Sequence, residues 1–96
     1  MGFTTIKATH LTNTGGSVVG GSARIKGVYI AHSATAGVFT LKDGGATGTT
    51  TLTINTAAAI GEYQTEIPEP GIRCTSSSGP HVAVTGGISF VTVYYD

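Results

Sequence analysis

Thr50-Thr51-Leu52-Thr53-Ile54-Asn55-Thr56 alternates polar and apolar residues with a period of two. Leu52 and Ile54 point one way, and Thr51, Thr53 and Asn55 the other. That is the pattern of a β-strand with one buried face. The chain on either side obeys the same grammar. Its longest stretches free of Gly and Pro run over 3–14 and 49–60. Both are rich in threonine, a poor helix former with a stiff χ1, and neither carries an i, i+3, i+4 apolar stripe. Val, Ile and Thr supply a third of the 96 residues. The chain is read as all-β.

Turn signals divide it into short strands. The expected strands are Phe3–Leu11, Arg24–His32, Val38–Leu41, Thr50–Thr56, a fifth around Tyr63–Ile67, Ile72–Thr75, His81–Thr85 and Ile88–Tyr95. Asn13-Thr14-Gly15-Gly16, Asp43-Gly44-Gly45 and Gly86-Gly87 mark turns. Ile67-Pro68-Glu69-Pro70-Gly71 makes a stiff corner, because proline fixes φ and donates nothing to a ladder. Seven or eight short strands at roughly ten-residue spacing predict a single antiparallel β-sandwich, jelly-roll-like or immunoglobulin-like. It forms one domain over 1–96, with 1–6 as an extended N-terminal arm. The expected core is Ile25, Tyr29, Phe39, Leu41, Leu52, Ile54, Ile67, Ile72, Val82, Val84, Val91 and Val93. In the last strand Val91, Val93 and Tyr95 alternate with Phe90, Thr92 and Tyr94, so both faces carry aromatics. Either that strand is central and covered on both sides, or one face meets another chain.

Composition narrows the function. Charged residues are 10% of the chain, against about 25% in an average globular protein. Five Lys and Arg balance five Asp and Glu. Lys7, Arg24, Lys26, Lys42 and Arg73 are too few and too scattered for a nucleic-acid footprint. No apolar run is long enough to span a membrane as a helix, and the N-terminus has no signal-peptide core. The lone Cys74 makes no intrachain disulfide and reads as a buried, inert thiol. A neutral surface of Thr, Ser, Gly and Ala repels its own copies little and costs little to desolvate, which suits life in an assembly.

Residues that carry chemistry are present without a pattern. His10, His32 and His81 lack the short spacing of a zinc site. Asp43, Glu62, Glu66 and Glu69 read as solvated carboxylates. The glycine-rich Asp43–Thr50 has no P-loop lysine and precedes a strand, so it is a hairpin loop. No Gly-x-Ser-x-Gly elbow occurs. The chain is read as no enzyme, with no cofactor and no metal.

From Gly27 onward the order of motifs is more particular. Gly27-Val28-Tyr29-Ile30 is followed by Ala36-Gly37-Val38-Phe39-Thr40-Leu41-Lys42-Asp43-Gly44-Gly45, then by Thr51–Thr56 and Ala58-Ala59-Ile60-Gly61-Glu62-Tyr63. Ile67-Pro68-Glu69-Pro70-Gly71-Ile72-Arg73, Val82–Thr85 and Ser89–Tyr95 complete it. This order resembles small β-sandwich virion structural proteins of tailed bacteriophages. The resemblance implies a head decoration or cement protein made in the host bacterial cytoplasm and located in the virion. Its partners would be the major capsid protein or other virion subunits. A homo-oligomer, a trimer above all, would suit local threefold positions. Met1, Phe3, Ile6, Ile88, Phe90, Tyr94 and Tyr95 are the candidate partner-binding residues. The alternative is a tail- or fibre-associated module that binds a host-surface carbohydrate or receptor. Such sites use aromatic platforms beside carboxylates or amides, and this chain offers no Trp and only Tyr29, Tyr63, Tyr94 and Tyr95 among its tyrosines.

Overall fold

Threonine and the β-branched apolar residues hold the chain extended, and glycine lets it turn. The computed structural model describes residues 6–96. It contains β1 (Lys7–Thr12), β2 (Gly16–Ser17), β3 (Ala23–Asp43), β4 (Thr49–Thr56), β5 (Gly61–Glu66), β6 (Ile72–Cys74) and β7 (Pro80–Tyr95), with no helix among the described residues. All pairings are antiparallel in one continuous sheet.

Two strands are far longer than expected. β3 has 21 residues and β7 has 16, and they pair with each other along most of their length. Arg24–His32 and Val38–Leu41 are thus halves of one strand, as are His81–Thr85 and Ile88–Tyr95. The halves belong to different arms of the sheet. In the first arm, β1, the C-terminal half of β7, the N-terminal half of β3 and β5 lie side by side, with β6 continuing the β5 edge. In the second, β2, the N-terminal half of β7, the C-terminal half of β3 and β4 do the same. One cluster of buried side chains draws on both arms: Ile25, Val28, Ile30, Val91 and Val93 from the first, Phe39, Leu41, Ile54 and Val82 from the second. The result is a sandwich-like all-β fold built from one folded-over sheet. Each fully buried Ile, Leu or Phe contributes about 1.5–3 kcal/mol.

The crease between the arms is a break in register. His32 pairs with Ile88, and the next pair is Gly37 with Gly86, so Ser33–Ala36 oppose Gly87 alone. A mismatch of this kind bends the strand sharply. The backbones close in at this point. A Cβ on Gly37 would stand 2.6 Å from the Thr85 carbonyl oxygen and 3.0 Å from the Gly87 nitrogen. Gly86 has φ +72° and would drive a Cβ into the Ala36 carbonyl.

Smaller slips change which residues are inside. Between Ile25 and Gly27 the register against β7 skips Lys26. Ile25 and Val28 therefore both face the core, and Tyr29, expected inside, faces outward and is only half-buried. A second slip, between Ala31 and His32, makes Ser89 the extra residue of β7. It turns Ile88 inward beside Val91 and away from the face of Phe90. Val18 and Cys74 also join the core, while Leu52, Ile67, Ile72 and Val84 pack against it partly buried. Replacing Gly86 by Ala is expected to lower the unfolding free energy by about 2 kcal/mol or more in urea titration. Gly20→Ala, whose Cβ would meet nothing within 4 Å, is expected to stay within about 0.5 kcal/mol of the parent.

Candidate functional site

The alternation of β5 places Glu62, Gln64 and Glu66 on one side and Tyr63 and Thr65 on the other. Register then decides what stands beside them. Glu62 pairs with Ala31, which pairs with Phe90 and through it with Thr12. Gln64, Tyr29, Thr92 and His10 form the next row. Glu66, Gly27, Tyr94 and Ala8 form the third. Directly opposed residues of antiparallel strands share a face. These three rows are therefore the outer face of the first arm, the side away from Val28, Ile30, Val91 and Val93.

Aromatic rings fill the middle of this face. The Phe90 ring lies 5.2 Å from the His10 ring and 6.2 Å from the Tyr29 ring, centroid to centroid, both tilted. Such offset contacts are in the range that aromatic pairs prefer. Tyr94 covers Gly27: a Cβ there would come within 3.5 Å of its ring. The missing side chain leaves room for a ring close to the backbone. The Tyr29 hydroxyl donates to Glu62 Oε2 at 2.5 Å, and this bond to the carboxylate pushes the phenol pKa up. It also fixes the direction of both side chains.

No Lys or Arg stands at these register positions. Lys26, displaced by its bulge, is bound to Glu69 through both carboxylate oxygens, at 2.6 and 3.0 Å. The Lys26 ammonium beside it holds the Glu69 carboxyl below its usual range.

The expected contact residues separate. Met1 and Phe3 lie outside the described residues. Ile6 is 48% exposed and lines an open groove of about 390 Å³ with Lys26, Glu66, Ile67, Pro68 and Glu69. Ile88 is 3% exposed and belongs to the core, so it presents nothing to a partner. Phe90, 36% exposed, and Tyr94 are on the outer face. Tyr95 faces the other way and packs against the core. Tyr29, His10, Glu62, Gln64 and Glu66 were not expected to adjoin Phe90 and Tyr94. The alternation of β5 was visible in the sequence, but its place next to β3 was not.

The remaining chemistry-bearing groups stand apart. His32 sits at the crease with its Nδ1 buried and unpartnered among the described residues, and His81 pairs across from Lys42. Asp43 is not merely solvated. Its carboxylate accepts from the backbone N–H groups of Thr75 and Ser76, both at 3.1 Å, and so ties the first hairpin to the loop after β6. A second open groove, about 370 Å³, is lined by Arg24, Arg73, Cys74 and Asp96 among others. Arg24 and Arg73 are direct cross-strand neighbours, and Arg24 lies 3.8 Å from the Asp96 carboxylate. Burial, aided by Asp43, pushes the Cys74 thiol up to about 11. No family model matches this chain, and no curated protein or solved structure is similar to it.

The raised thiol has two measurable consequences. At pH 8 the folded protein is expected to react with an aromatic disulfide reagent about a hundredfold more slowly than the unfolded chain, from thiolate fraction alone. The stability gained by keeping Cys74 protonated should be complete below about pH 9 and be lost as pH rises towards 11. Cys74→Ala should lack that alkaline loss in denaturation curves.

Proposed function

We propose that this chain is a non-enzymatic structural protein of a phage virion, a head decoration or cement protein that binds capsid subunits. The order of motifs from Gly27 to Tyr95 supports this reading. So do the zero net charge and the surface of small hydroxylic residues, which another subunit can cover at low desolvation cost. The observation that carries the docking part is the groove beside Ile6. Here an exposed isoleucine, the first of the described residues, adjoins Ile67 and Pro68. The N-terminal segment and this groove form the contact to the major capsid protein. The assembled form is a trimer set at local threefold positions. The protein is made in the host bacterial cytoplasm and ends in the virion.

Immunogold electron microscopy of particles from a lysate of the encoding phage tests this. Label at regular positions over the head is expected. Label confined to tails, or absent from particles, would overturn the head assignment. Light scattering of the purified protein over a concentration series should give a trimer mass. A persistent monomer would remove the oligomeric part. Ile6→Asp is expected to abolish head labelling while leaving the melting temperature within about 2 °C, because Ile6 is exposed.

A further inference from the structure

We infer that the outer face of the first arm is a binding platform for a neutral polysaccharide chain. The inference is independent of the virion reading; its face adjoins the Ile6 groove and shares only Glu66 with it.

A pyranose ring has two unlike aspects. Its C–H groups make an apolar face, and its hydroxyls form a polar rim. Tyr94, Phe90 and Tyr29 offer aromatic surface to the first. Glu62, Gln64 and Glu66, in line along β5, offer acceptors and an amide donor to the second. The two sets lie on neighbouring strands of one face. The Tyr29–Glu62 hydrogen bond holds one aromatic and one acceptor in place before any ligand arrives, and Gly27 gives the Tyr94 ring its seat. Preorganised side chains lose little entropy on binding.

The charge pattern narrows the ligand. Two carboxylates with no Lys or Arg at these register positions repel phosphorylated, sulfated or uronic acid polymers and nucleic acids. The face is a sheet surface and not an enclosed cavity, so it suits a long chain laid across strands better than a small molecule that must be engulfed. A cationic ligand, held by cation–π contact and the carboxylates, is the competing chemistry.

The test uses the full chain labelled with ¹⁵N and titrated with neutral hexasaccharides of glucose, mannose, galactose and N-acetylglucosamine, and separately with hexalysine. The expected result is amide shifts in β5, in 27–31 and in 90–94 with at least one hexasaccharide, saturating in the micromolar to millimolar range. Phe90→Ser and Tyr94→Ala are each expected to weaken binding about tenfold. Glu66→Gln removes the charge but keeps an acceptor, so it should weaken hexalysine more than it weakens the sugar. Should Tyr94→Ala disturb the fold, Phe90→Ser, at an exposed position, still reads the platform. Silence with every hexasaccharide at millimolar concentration, sugar shifts away from this face, or binding of hexalysine alone would overturn the inference. None of these results bears on head labelling, so the two readings fail separately.

Discussion

The crease where Gly37 meets Gly86 is the constraint on which the rest of the fold depends. Two backbones approach there too closely for any side chain, and Ser33–Ala36 are pushed out against Gly87 alone. Without that bend, β3 and β7 would be long straight ribbons with an apolar face and nothing to cover it. With it, the same two strands supply both layers, and Phe39 and Leu41 meet Ile30 and Val91 in one core. A chain this short can bury only one thin core. Sharing two strands between both arms lets it do so without a separate second sheet.

Bulges then choose what the surface displays. The side-chain period of a strand is two, so one extra residue transfers everything beyond it to the opposite face. Lys26 is such a residue in β3, and Ser89 in β7. The first sends Tyr29 out to join Glu62 and brings Val28 in. The second takes Ile88 into the core and leaves Phe90 outside. The aromatic face is therefore a product of two register slips. Lys26 itself, at its bulge, is bound to Glu69.

Charge is sparse, and its placement matters more than its total. The Lys26–Glu69 and Arg24–Asp96 pairs take up two of the five basic groups. Asp43 is spent on two backbone N–H groups. Such exposed pairs contribute little to stability each. Their effect is to leave Glu62 and Glu66 as the acidic groups of a face otherwise made of rings, hydroxyls and an amide. A neutral chain thus carries a locally acidic, aromatic surface.

Several features were legible in the residues. Leu52 and Ile54 alternate with threonines, and they lie on the inner side of β4 as that pattern requires. Gly86-Gly87 marks a break, and the all-β class follows from threonine and valine content with no helical stripe. Cys74 reads as buried, and it is. What the residues could not show is continuity across the glycines, since a tight turn and a creased strand use the same amino acid for the same freedom at φ. Nor could they show a bulge, because it depends on which residue of a distant strand is left without a partner. Local alternation is set by the residues themselves; register is set by pairs far apart in the chain. For that reason the alternation along each stretch belonged to the sequence, and the face that joins Phe90, Tyr29 and Glu62 belonged to the tertiary structure alone.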